Sequence, residues 1–208
     1  LKKMDVAISN GGIGNIKLSP FTVHITGLAD VDQYIDIPLQ VAGPVPEILR
    51  LLDHQPLGYA KKLGVAPDDL GGQIAGAVNF KFPLLKTLEM KDLDITATAN
   101  TTNVASTKLV PGLAIDQGNL AMTLDMNGFA FKGQAALDKI PFAIDWQEAF
   151  EIKPDKPYSH MLINGIVRDD QWKNFGTDLF NGSKGPMNVA LDITRPNKTK
   201  MLFTGSLD

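Results

Sequence analysis

Three histidines (His24, His54, His160) and two adjacent acid pairs (Asp68-Asp69, Asp169-Asp170) are the groups in this 208-residue chain that acid–base or metal chemistry would use. The histidines lie far apart and show neither HxxxH nor HxH spacing, so they do not form a metal-ligand set. A lone histidine on a strand is ordinarily a surface group or a satisfied core group. Side chains of adjacent acids diverge, and acids suit a helix N-terminus through the macrodipole. Asp169 and Asp170, just before "QWKNF", are therefore expected to cap a helix. The stretch "SNGGIGNIK" is glycine-rich but lacks the GxxxxGK[ST] spacing and the strand-to-helix context of a phosphate loop, so it reads as a hairpin turn. No GxSxG elbow occurs. Cysteine is absent, which excludes disulfides, thiolate metal sites and a cysteine nucleophile. No catalytic set emerges, so the chain is not expected to be an enzyme, and no cofactor is expected.

Charge gives no hint of a nucleic-acid partner. Lys and Arg total 20 against 23 Asp and Glu, a net charge of −3, and no basic run occurs. No stretch is apolar for the ~18 residues that a membrane helix needs. The first residue is Leu1, and the final segment "MLFTGSLD" reads as a strand stopped abruptly, so the chain is expected to be one β-rich domain (1–208) excised from a longer protein.

The elements that must position these residues are nearly all strands. In "GGQIAGAVNFKFPLL", Ile74, Val78, Phe80, Phe82 and Leu84 share one face, and Gln73, Asn79 and Lys81 the other. "LDITATA" places Leu93, Ile95, Ala97 and Ala99 together, and "GNLAMTLDMNG" does the same with Leu120, Met122, Leu124 and Met126. Asn127-Gly128 then signals a type I′ hairpin turn. The strand after it alternates Phe129, Phe131, Gly133, Ala135 and Leu137 against Lys132 and Gln134. The same period governs Phe21–Ile25, Ile35–Val41, Phe142–Trp146, Met187–Ile193 and Met201–Leu207. Helical signals are confined to two short stretches. One runs from Pro46 and is ended by Pro56 near His54, with a second turn through Tyr59 and Leu63; the other contains Trp172, Phe175 and Leu179. Both read as lids or plugs on a sheet.

The expected fold is mainly β: a long antiparallel meander with two short helices packed on it. One apolar face per strand must be hidden. The sheet can fold as a sandwich, close as a barrel, or curl into a taco-like β-groove whose lining holds something else.

The stretch "LLDHQPLGYAKKLGVAPDDLGGQIAGAVNFKFPLLKTL" resembles the central region of the AsmA-like superfamily, in particular the long YhdP-type proteins of Gram-negative envelopes. Pro56, Leu57, Gly58, Lys62, Leu63 and Gly64 carry the likeness, followed by Gly72, Gly76, Phe82, Pro83 and Leu84. Downstream, Gly128, Gly133, Pro141, Trp146 and Phe150 stand where a second block of that family expects them, and the resemblance covers about 45–205. These are structural positions, so no functional residue carries over. The resemblance implies a periplasmic body, a parent protein anchored in the inner membrane, and a β-groove that conducts phospholipid between the two membranes.

Together these readings predict a segment that binds or conducts phospholipid or another acyl-chain ligand. The expected lining is Val78, Phe80, Phe82, Leu93, Ile95, Leu120, Met122, Leu124, Phe129 and Phe131. A homodimer of the fragment through open sheet ends also fits. The alternative is a structural or assembly module of the cell envelope, with the same face closed as a sandwich core and other proteins as partners.

Overall fold

Alternating apolar residues pay out as strands along almost the whole chain. The computed structural model describes residues 2–54, 66–110, 113–175 and 185–208. In chain order the strands are β1 (Lys3–Ile8), β2 (Gly11–Ile13), β3 (Ile16–Leu18), β4 (Phe21–Thr26), β5 (Tyr34–Pro44), β6 (Gly71–Pro83) and β7 (Asp94–Val110). They continue as β8 (Leu113–Leu124), β9 (Gly128–Leu137), β10 (Ile140–Ala149), β11 (Ser159–Val167), β12 (Met187–Arg195) and β13 (Leu202–Leu207). The hydrogen-bonded order is β1-β4-β5-β6-β7-β8-β9-β10-β11-β12-β13, with the β2–β3 hairpin attached to β5 through β3. Among the described residues the fold is thus a mainly β antiparallel meander of 13 strands with short helical segments, and the sheet is not closed into a barrel. Within that order the chain forms two compact units, residues 1–100 with 123–126, and residues 101–122 with 127–208.

Helix α1 (Val45–Leu52) starts directly from β5, with Pro46 in its first turn and Asp53 as its C-cap, so it stops where the approaching Pro56 predicts. Its Glu47 carboxylate accepts hydrogen bonds from the Asn15 backbone N–H (2.9 Å) and the Asn15 side-chain amide (2.6 Å), which ties the helix to the turn between β2 and β3. Those two bonds hold the Glu47 carboxyl below its ordinary value. Arg50 pairs with Asp68, so one member of the first acid pair serves as an anchor for the helix. The second helical turn expected through Tyr59 and Leu63 lies outside the described residues.

In the second unit a 3-10 helix (Asp169–Phe175) lays Trp172 and Phe175 on the core of Ile140, Phe142, Val167 and Val189. Asp169 and Asp170 stand in its first turn, as expected. Gln171 Oε1 accepts the Arg168 backbone N–H at 2.8 Å, and Asp169 Oδ2 accepts the Gly185 N–H at 2.9 Å. Leu179 lies outside the described residues.

The hairpin expected at Asn127-Gly128 does join β8 to β9, but its turn is not the two-residue one expected. β8 ends at Leu124 and β9 begins at Gly128, so Gly128 already lies in the ladder opposite Ala149. A Cβ on Gly128 would lie 2.1 Å from the Glu148 carbonyl oxygen, so this glycine serves close strand approach and not a turn. The two-residue hairpin with positive φ at both central positions is Asp138-Lys139 (φ 45° and 68°), which joins Leu137 to Ile140. Asp138 also fastens this turn to the start of β8: its N–H donates to the Ala114 carbonyl at 2.8 Å, and its carboxylate accepts the Ala114 N–H at 3.0 Å.

Both strand histidines lie on polar faces beside a carboxylate. His24 Nδ1 is 2.7 Å from Asp5 Oδ1, and His160 Nε2 is 3.0 Å from Asp192 Oδ1. Hydrogen bonds from His160 and then Thr194 hold the Asp192 carboxyl below its ordinary value of 3.8. A depressed carboxyl stabilises the fold above the unfolded-state pKa, and this contribution is lost as pH falls through the lower folded value. His160→Ala is accordingly expected to move the Asp192 titration upward toward 3.8, read by carboxyl-carbon NMR between neutral and strongly acidic pH. An unchanged Asp192 midpoint would show that His160 is not its main partner.

Candidate functional site

Strand register sorts the side chains of the first unit into two faces, because residues directly opposite in a ladder point the same way. Met4, Ile25, Ile35 and Phe82 form one cross-strand row. Along the same face Val6 lies opposite Val23, Ile8 opposite Phe21, Ile37 opposite Phe80, and Leu39 opposite Val78. The reverse face carries the row Asp5, His24, Asp36 and Lys81. Of these apolar residues on β1, β4, β5 and β6 not one is buried: Met4 and Val6 are exposed and the rest are half-buried. This apolar sheet face thus stays in part accessible.

The second unit builds a similar face with a different ending. Its registers give the rows Ala135–Phe142–Gly165–Val189, Gly133–Ile144–Ile163–Leu191 and Phe131–Trp146–Met161–Ile193. The next row is Phe129–Glu148–Ser159–Arg195, where polar groups interrupt the apolar alternation. Trp172 and Phe175 cover the first of these rows; Phe175 meets Phe142 edge-on, with ring centroids 6.3 Å apart. At the polar end Trp146 stands edge-on to Phe129 (4.9 Å) and stacks on Phe131 (5.8 Å), and its Nε1–H donates to Ser159 Oγ at 3.0 Å. Glu148, Tyr158 and Ser159 are buried there. Arg195 Nη1 lies 3.9 Å from Glu148, and its guanidinium lies 5.5 Å from the centre of the Tyr158 ring. Burial first, then the charge of Glu148 and a hydrogen bond to it, push the Tyr158 phenol above its ordinary value of 10.0.

The expected lining residues divide into two groups. Val78, Phe80 and Phe82 share the apolar face of the first unit and are half-buried. Leu120, Met122 and Leu124 alternate along β8 and are half-buried, as is Phe131 on β9. Leu93, Ile95 and Phe129 are buried, at 8%, 3% and 6% exposure, so they act as packing and offer little surface to a ligand. The set missed from the sequence includes the partners across β5 and β4, which the alternation of Ile35–Val41 and Phe21–Ile25 already signalled. It also includes the Glu148–Ser159–Arg195 row. Its signal was polar residues at apolar-phase positions of neighbouring strands, which is visible only once the strands are paired.

Among the described residues, no group of three or more His, Cys, Asp or Glu is placed to hold a metal ion. No described helix is long and apolar enough to cross a membrane. Comparison with protein-family models, with curated proteins and with solved structures yields no match, so the resemblance to the AsmA-like superfamily stands on the residues quoted for it alone.

Proposed function

We propose that this chain is an acyl-chain-binding segment of a cell-envelope protein of the AsmA-like kind, acting in the periplasm on phospholipid or a similar amphiphile. The observation that carries the reading is the face of β1, β4, β5 and β6, apolar in every paired row and left partly accessible throughout. Acyl chains suit such a face because each methylene removed from water contributes about 0.8 kcal/mol and demands no directional partner. Affinity of this origin needs no catalytic group and no cofactor.

The test is native mass spectrometry with lipid extraction on the chain purified from a bacterial periplasm. Near-stoichiometric phospholipid is expected in the wild-type protein. Phe80→Asp, which sets a charge among Ile37 and its neighbours, is expected to lower bound lipid by roughly tenfold or more while leaving the circular dichroism unchanged. Lys81→Gln, one residue along β6 and on the opposite face, is expected to leave lipid content as it was. A lipid-free mass that also refuses added phospholipid would overturn the reading and favour an assembly module that binds other envelope proteins.

A further inference from the structure

The polar end of the second unit's apolar face carries more positive than negative charge. Glu148 faces Arg195, and Lys198 adds a second cation whose Nζ lies 5.4 Å from the centre of the same Tyr158 ring. The turn holding Lys198 is fixed: Arg195 Nη2 donates to the Lys198 carbonyl (3.4 Å), and Asn197 Oδ1 accepts the backbone N–H groups of Thr199 (3.0 Å) and Lys200 (2.9 Å). Among the described residues no carboxylate lies within ion-pair reach of Lys198. Tyr158 and Trp146, each with an apolar body and a polar tip, stand where aromatic residues mark a boundary between greasy and wet surroundings.

From this boundary the half-buried residues Met161, Ile193 and Ile163 continue the apolar face toward Phe142. Ile144, in the last row that Trp172 and Phe175 leave uncovered, stands four positions from Glu148 along β10, about 13 Å of strand, which is room for part of an acyl chain. The outer side of this strip is reachable, since Phe203 on β13, opposite Ile193, is 68% exposed.

We propose that Arg195, Lys198 and Tyr158 form a headgroup site for an anionic amphiphile, a phosphate ester or a carboxylate, whose chain lies along the apolar rows that begin at Trp146. The inference rests on the acyl-chain reading above and adds a direction to it. The net positive charge and its continuity with the apolar strip select an anionic head over a neutral one. The planar guanidinium of Arg195 and the mobile ammonium of Lys198 can both donate to phosphate or carboxylate oxygens.

The experiment uses the whole chain and three short-chain, monomeric lipids with identical tails: phosphatidylglycerol, phosphatidylcholine and diacylglycerol. Inorganic phosphate serves as a fourth probe. Binding is read by calorimetry and by the indole N–H resonance of Trp146. Wild type is expected to bind phosphatidylglycerol roughly tenfold tighter than diacylglycerol, about the value of one charge-assisted hydrogen bond. Lys198→Glu, at an exposed position, and Arg195→Gln, which also removes the ion partner of buried Glu148, are each expected to erase most of that preference. Equal affinity of wild type for all three lipids, or a preference that survives both variants, overturns the headgroup site but leaves the acyl-chain reading standing. Failure of every lipid to bind overturns both. Inorganic phosphate that binds as tightly as phosphatidylglycerol overturns the amphiphile and leaves a simple anion site.

Discussion

Phe142→Ala is expected to destabilise the second unit by about 3–5 kcal/mol. Phe142 is buried in a cluster that combines fully buried aliphatics, Ile140 and Val167 at 1% exposure, with the aromatic plug of Trp172 and Phe175. Removing the ring deletes the edge contact to Phe175 and leaves a void that the ladder to β9 and β11 hinders from closing. Both tryptophans of the chain, Trp146 and Trp172, belong to this unit, so denaturant unfolding followed by tryptophan fluorescence reports on it selectively. The expected result is a lower midpoint at an unchanged slope. A shift below about 1 kcal/mol would mean that the plug collapses into the vacated space and that the cluster is not the anchor of this unit.

Gly165→Ala is expected to cost about 1–3 kcal/mol, and most of that cost is expected to vanish when Phe142 is also Ala. Gly165 lies opposite Phe142, and a Cβ there would meet the phenyl ring at 2.4 and 2.7 Å, against 3.0 Å to the Pro141 carbonyl oxygen. The ring therefore lies across the bare glycine backbone and covers it. An added methyl must turn the ring out of its place against Phe175 or push β10 from β11. With the ring gone, only the 3.0 Å approach to the Pro141 carbonyl oxygen remains. A double-mutant cycle with the same fluorescence readout separates the cases: additive costs would show that the obstacle is the backbone itself.

These expectations depend on pairings the linear pattern leaves open. The alternation of Ile74–Phe82 placed Val78, Phe80 and Phe82 on one face, and the structure keeps them together, because a strand's period of two is a local property. The helix end near His54 was equally legible, since an approaching proline cannot continue a helix. The Asn127-Gly128 turn was misread for a reason of the same physical kind. Glycine is required both where φ must be positive and where another backbone approaches closely, and only the position of Glu148 across the ladder tells which applies. The two-residue hairpin at Asp138-Lys139 uses residues that tolerate positive φ less readily than glycine, and its Asp is held from outside by Ala114.

The candidate site divides along the same line. That each strand would carry one apolar and one polar face follows from the order of residues alone, because side chains of a strand alternate whatever lies beside it. Burial of Leu93, Ile95 and Phe129, with accessibility kept at Phe80 and Phe82, depends on what packs against each row, and that is a non-local matter. The grouping of Glu148, Ser159 and Arg195 depends on register. Those residues come from three different strands, and a shift of one residue in either ladder would send them to opposite faces. Periodicity along the chain is set by local stereochemistry, whereas proximity across strands is set by the hydrogen-bonded pairing of the folded sheet.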